Sequence, residues 1–293
     1  MSAGRGLLFL NPRAGTFSTA DESSLRALAA ENGLRVIEIV PGLDTRALVR
    51  DSLAAGMRTF IAAGGDGTVH HVVQALVQTE GILGIVPTGS VNHLARDLQI
   101  PVNDWRAAFE IALRGGIHQI DVGRVNGQYF LNSVMLGIYP TLSEYRERFR
   151  SMHSRWRAYA KAARLALHHF PHVTLVVELE NRVETFRTQF FVVAVNAYDL
   201  TQTGIVSLKT TFNDGRLAIY SLSFMSRWQF VRAAAQYLRG RIGDVDGFRS
   251  TRTPSLRVDT GHGHLRVAVD GELVNMITPL QIAAVPASLL VRA

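Results

Sequence analysis

The sequence predicts a doubly wound α/β domain over residues 1–120 and a β-rich domain over residues 121–293, with the last strand or two packing back on the first domain. Three observations carry this. Strand and helix patterns alternate through the first 120 residues, a glycine loop joins a short apolar run to a helical pattern inside that stretch, and hairpin signals replace helices beyond it. No internal repeat or low-complexity linker separates the halves, so two closely packed domains with a cleft between them are expected.

Residues 7–10 are apolar and end at Asn11-Pro12, which reads as a buried first strand and not a signal sequence. Thr19-x-x-Glu22 has capping-box spacing ahead of Leu25, Leu28 and Ala29, and Asn32-Gly33 ends that helix. Residues 35–40 form the second strand, and Asp44 caps a helix closed by Gly56. Residues 59–63 and 83–86 supply the third and fourth strands, and Asn103 or Asp104 opens a helix that stops at Gly115-Gly116. In the second half, residues 122–125 and 128–131 flank Asn126-Gly127, the pair a type I′ hairpin turn prefers. Residues 172–180, 185–196, 216–222, 256–258, 265–269 and 273–277 are further strands, interrupted by a helix near 226–239.

The chain has 293 residues and is 47% hydrophobic, enough for a sizeable core. It has no cysteine, which excludes disulfides, thiolate zinc sites and a cysteine nucleophile. No segment is long and apolar enough to span a bilayer, and a cytoplasmic protein is expected. The net charge is +7, and basic residues gather as Arg146, Arg148, Arg150, Arg155, Arg157, Lys161 and Arg164 among Tyr145, Phe149, Trp156 and Tyr159. That composition suits a helix lying on an anionic membrane surface, or a solvated basic helix over a core. Nucleic-acid binding ranks last, because the cationic cluster is confined to one segment and no recognition motif accompanies it.

Residues 60–68 read Phe-Ile-Ala-Ala-Gly-Gly-Asp-Gly-Thr, and Val69, Val72, Val73, Leu76 and Val77 follow at helical spacing. Gly64, Gly65 and Gly67 therefore sit at a strand-to-helix turn, where glycine permits positive φ and lets phosphate approach bare amides at a helix's positive end. A carboxylate there would repel bare phosphate, so Asp66 reads as a partner for a ribose hydroxyl, a magnesium ion or its water shell. The loop is neither a Walker loop nor GxGxxG. By itself it is also an ordinary tight turn. A second turn, Pro87-Thr88-Gly89-Ser90-Val91-Asn92, follows the fourth strand, so both loops can flank one nucleotide with the Ser90 hydroxyl on phosphate oxygens.

With those residues in place, the chain resembles the diacylglycerol kinase catalytic family, which includes bacterial lipid kinases and sphingosine kinases. Asn11-Pro12-Arg13-Ala14-Gly15 resembles its NPxxG element, residues 64–68 its GGDGT signature, and residues 83–96 its LGxxPxGTxNDFAR stretch. Asp121-Val122-Gly123, Asn213-Asp214-Gly215 and Asp270-Gly271-Glu272 follow in the family's order. NAD kinases share the first signature, but the second loop and the Asp-Gly-Glu element resemble the lipid kinases more closely. The resemblance implies a diacylglycerol-kinase-like first domain, a sandwich-like second domain, and an active site in the cleft between them. It implies transfer of the γ-phosphoryl of ATP to a lipid hydroxyl, of diacylglycerol, a sphingoid base or a related alcohol. Asn11, Gly64, Gly65, Asp66, Gly67, Thr68, Gly89 and Ser90 would bind the nucleotide, Asp270 or Glu272 would be the general base, and Asp214 would hold Mg2+.

Departures from the pattern are His70-His71, where the family commonly has Asn-Glu, and His93, where it commonly has Asp. They replace acidic positions near the phosphates and leave open a non-catalytic nucleotide- or lipid-binding protein, or a kinase of a soluble molecule such as NAD. The lipid substrate would be met at an anionic membrane surface through Arg146 to Arg164, and an exposed strand edge in the β-rich half would allow a homodimer.

Overall fold

The computed structural model describes residues 5–12, 17–140, 143, 172–201, 209–223 and 226–293. The basic aromatic stretch between Arg146 and Arg164 lies outside them. The chain divides into two compact units, residues 1–122 with 286–293 and residues 123–285.

In the first unit, β1 (Gly6–Leu10), β2 (Leu34–Glu38), β3 (Thr59–Gly64) and β4 (Ile82–Pro87) form a parallel sheet in the order β2-β1-β3-β4. The end of β16 (Leu280–Arg292) adds a strand beside β4, with Leu290 opposite Ile82. Alternate strand residues face opposite sides. Leu8, Leu10, Ile61 and Ala63 pack under Leu25 and Ala29 of α1 (Thr19–Glu31) and Phe109 and Ala112 of α5 (Trp105–Arg114), which follows the short α4 (His93–Asp97). On the other face, α3 (Asp66–Leu76) buries Val69, Val72, Val73 and Leu76 and packs against α2 (Thr45–Ala54). Near-continuous apolar strands are what a sheet covered on both faces requires.

The caps follow the expected chemistry with one displacement. Ser18, not Thr19, caps α1, because its hydroxyl accepts from the Asp21 amide and Thr19 is already helical. Asp44 and Asp104 cap α2 and α5 through side-chain acceptors.

The second unit is a sandwich. Strands β12 (Phe248–Thr253), β11 (Leu217–Leu222), β10 (Phe190–Val195), β7 (Ser133–Gly137), β14 (His264–Val269) and β15 (Glu272–Ile277) pair antiparallel in that order. Facing them are the start of β16, β13 (Ser255–Asp259), β8 (Val173–Leu179) and β9 (Arg182–Thr188). The core between the layers takes Leu175, Val177 and Val258 from one and Val193, Ile219 and Val267 from the other. The hairpin of β5 (Ile117–Val125) and β6 (Gln128–Phe130) turns on Asn126 and Gly127, both at positive φ as a type I′ turn needs. A last helix, α6 (Arg227–Leu238), carries the Ser226/Gln229 capping box.

One expected strand is split, and β7, β12 and β16 are strands the pattern did not mark. Residues 185–196 form no single strand: β9 and β10 lie in opposite layers, and the corner is held by the buried Thr188 hydroxyl, which donates to Leu222 O at 2.8 Å. The 13-residue β16 carries Pro286 and Ala287, the latter at φ 46, a break that hides the strand from alternation rules. Buried Asp121 supports that break by accepting the Ala287 amide at 2.8 Å.

Gly123 of β5 is opposite Phe130, and a Cβ there would stand 2.1 Å from the ring. Gly123→Ala is expected to lower stability by about 1–3 kcal/mol through overpacking. Urea unfolding checks this, and adding Phe130→Leu should recover part of the loss.

Candidate functional site

Two polar constellations stand out, one in each unit. In the first unit β1 pairs with β2 on one side and β3 on the other, so the winding of the sheet reverses between β1 and β3. Loops leaving the carboxyl ends of such strands diverge and open a crevice. Asn11 follows β1 there, and Gly65 to Thr68 follow β3. The Asn11 amide donates to Ala63 O at 3.0 Å and its side-chain amide to the Thr68 hydroxyl at 3.2 Å, which ties the two strand ends together.

Gly65 caps α3. The Thr68 and Val69 amides bond back to its carbonyl at 3.0 and 3.1 Å, while those of Asp66 and Gly67 find no acceptor among the described residues. Two bare amides at the positive end of an 11-residue helix can receive an anion.

Asp66 does something its position in the sequence does not announce. Its Oδ2 accepts the Asn92 amide at 2.9 Å and its Oδ1 accepts the His93 amide at 2.6 Å, so the carboxylate joins the first loop to the second. The glycines serve the same junction. A Cβ on Gly89 would lie 2.4 Å from Gly65 Cα, and one on Gly64 would lie 2.2 Å from the Thr68 hydroxyl oxygen. None of Gly64, Gly65 and Gly89 adopts the positive φ that glycine permits. The left-handed residue is Asn92 at φ 56, whose side chain accepts from Gly89 N and donates to Gly89 O at 3.1 and 2.8 Å. Glycine is needed here because two backbones touch. Ser90, next to Gly89 in the second loop, is exposed.

The three histidines do not converge. The His71 ring contacts the Thr45 hydroxyl at 2.7 Å, the His70 ring contacts the Gln74 side chain, and His93 contributes its backbone amide to Asp66. Burial, with a smaller contribution from His70, lowers the His71 pKa below its ordinary value.

In the second unit, Asp270 and Gly271 form the turn between β14 and β15 at φ 48 and 88. The Asp270 carboxylate accepts three successive amides, from Leu131 and Asn132 at 2.8 Å each and from Ser133 at 3.1 Å. The Leu131 carbonyl accepts the Lys209 ammonium, and the Asn132 carbonyl accepts the Val195 amide at 3.0 Å. The turn at 131–133 is thereby gripped by an anion and a cation from distant parts of the chain. Sequence reasoning missed Lys209, whose meaning lies only in the carbonyl it reaches. Glu272 opens β15 and is exposed.

Asp214 takes the Asn196 side-chain oxygen on its amide at 3.2 Å and pairs its carboxylate with Arg252 at 3.1 Å. Among the described residues no three His, Asp or Glu side chains gather to hold a metal. Asp214 therefore meets a guanidinium, and the described residues bring no such group of side chains to it.

This combination of a doubly wound unit carrying paired glycine loops and a β-sandwich unit defines a class. Residues 5–125 match the diacylglycerol kinase catalytic domain, and residues 132–293 match the YegS C-terminal NAD kinase beta sandwich-like domain. The chain belongs to this diacylglycerol kinase and YegS family. It is 28% identical over 270 residues to a diacylglycerol kinase of Mycobacterium tuberculosis, covering 88% of this chain and 84% of that protein. It is 29% identical over 234 residues to a diacylglycerol kinase of Bacillus subtilis, covering 76% and 75%. A crystal structure of a diacylglycerol kinase from Bacillus anthracis superposes with TM-score 0.70 over 99% of this chain and 96% of that one; at 20% identity, that likeness shows the fold alone.

Asp66→Ala should lose about 1.5–3 kcal/mol for each charge-assisted amide bond and weaken nucleotide binding, as urea unfolding and calorimetric titration would measure. Asp66→Asn, which keeps one acceptor, should lose less. For His71 the folded value lies below the ordinary 6.5, so the unfolded chain binds more protons below that pH. Its contribution to stability is complete above about pH 6.5 and declines as the pH falls further. His71→Gln should flatten that part of a thermal-midpoint profile.

Proposed function

We propose that this protein is an ATP-dependent lipid kinase that transfers the γ-phosphoryl group to the hydroxyl of diacylglycerol, a sphingoid base or a related lipid alcohol. The observation that carries the reading is the junction of the two loops through Asp66, beside the bare amides of Asp66 and Gly67. The named relatives point to lipid acceptors.

Phosphoryl transfer needs positioning and charge stabilisation more than covalent chemistry. Asn11, Gly64 to Thr68, Gly89 and Ser90 bind the nucleotide. The α3 amides face phosphate oxygens, and Asp66 acts by holding the second loop at a set distance from the first. The magnesium ion enters as part of the ATP substrate, and no step is assigned to a resident metal. In the second unit Asp270 orders the 131–133 turn, and either its carboxylate or that of Glu272 takes the acceptor's proton. Both lie on one hairpin, within two residues, so the position of that hairpin decides which is in reach.

The test is transfer from γ-labelled ATP with magnesium to vesicles doped in turn with diacylglycerol, sphingosine, ceramide and monoacylglycerol, with NAD as a soluble acceptor. A labelled lipid is expected. Label on NAD alone would overturn the lipid reading, and bound ATP without any labelled product would overturn the kinase reading. Asp270→Asn should reduce turnover by about 100-fold or more. If Glu272→Gln instead abolishes turnover while Asp270→Asn mainly lowers stability, Glu272 is the base and Asp270 a positioning residue.

A further inference from the structure

Helix α6 has two apolar faces. Ala233 is buried and Tyr237 half-buried against Leu222 and Ile242, which accounts for one face. On the other, Trp228 is 82% exposed, Val231 46% and Leu238 51%. At 100° per residue these three fall within roughly 80° of arc, and Ala233 and Tyr237 lie about 140–180° from Trp228. Exposed apolar residues scattered singly are ordinary, but three in helical register form a stripe. Arg232 and Arg239 are exposed and project within roughly 40° of Trp228, on the side away from Val231. The helix contains no acidic residue.

We propose that the outer face of α6 is a docking surface for an anionic lipid bilayer. Trp228, Val231 and Leu238 enter the interfacial region, and Arg232 and Arg239 meet lipid phosphates. Indole prefers that region because its ring is apolar and its N–H polar. A helix with an apolar stripe and a cationic flank lies in the interface plane. Charge complementarity selects the bilayer over a second copy of this chain: a two-fold contact through this stripe would set Arg232 and Arg239 against the same arginines, uncompensated by any acid on the helix. The proposal deepens the lipid-kinase reading, on which it rests only for its purpose, by giving the enzyme a surface on which to meet a bilayer-resident acceptor.

The test uses the full chain without ATP or acceptor, so that it is independent of catalysis. Co-sedimentation compares vesicles of phosphatidylcholine alone with vesicles that also contain phosphatidylglycerol. Wild type should bind the anionic vesicles more tightly, and high salt should weaken that binding. Arg232→Gln with Arg239→Gln should reduce it by roughly fivefold per arginine. Trp228→Gln with Val231→Gln and Leu238→Gln should reduce binding at least as much while leaving the thermal midpoint unchanged, because the face is exposed. Since the chain lacks cysteine, Val231→Cys provides a single labelling site, with Val183→Cys as an exposed control on β9. An environment-sensitive dye should shift to the blue with anionic vesicles at the first site and not at the second. Binding of both multiple variants within twofold of wild type, or an unshifted dye at Val231→Cys, would overturn the proposal. So would a wild-type dimer in light scattering that the Trp228, Val231 and Leu238 replacements convert to monomer. A kinase that fails on every lipid yet still docks through α6 would overturn only the functional reading.

Discussion

The structure depends on carboxylates that bind backbone amides across long sequence distances. Asp66 reaches the Asn92 and His93 amides, and Asp270 reaches three amides at residues 131–133. Backbone N–H groups buried in loops must find acceptors, and an anionic oxygen makes the stronger bond. A single side chain can therefore set the shape of a loop more than twenty residues away. In each unit this gives a rigid irregular segment beside regular strands, which is what a site for a charged group needs.

The Asp66 junction also explains how a carboxylate is tolerated next to the turn proposed to hold phosphate. Its charge is directed into two amides, which leaves the helix end free to act on a ligand. Gly65 and Gly89 make the junction possible by touching backbone to backbone, so any side chain at Gly89 would separate the loops. The histidines fit the same frame. His71 is lodged against Thr45 and helps join α2 to α3, and only the His93 backbone takes part in the junction.

Apolar burial is distributed unevenly, and the exceptions carry meaning. The parallel sheet is covered on both faces and the sandwich core is filled from both layers. Against that background, the outward stripe of α6 is a face the fold neither needs nor hides. Exposed Arg232 and Arg239 flank it, which is the charge pattern the docking proposal rests on.

Much of the fold was legible in the sequence. The alternation of apolar runs and capped helices set the α/β unit, and Asn126-Gly127 marked a hairpin, because these signals arise from local sterics and capping. The glycine loops were legible as candidate chemistry because residue type and spacing suffice to propose a phosphate turn, whereas the Asp-Gly-Glu element stood out only through its resemblance to the family. Tertiary structure alone decided what those residues touch. Asp66 as a bridge between loops, Asp214 on Arg252, Lys209 on the Leu131 carbonyl and the exposure of Trp228 all depend on which distant segment arrives opposite them. The split of residues 185–196 and the broken strand β16 were hidden likewise. A corner held by the Thr188 hydroxyl and a break held by Asp121 are made by partners 34 and 166 residues away, where no local pattern reaches.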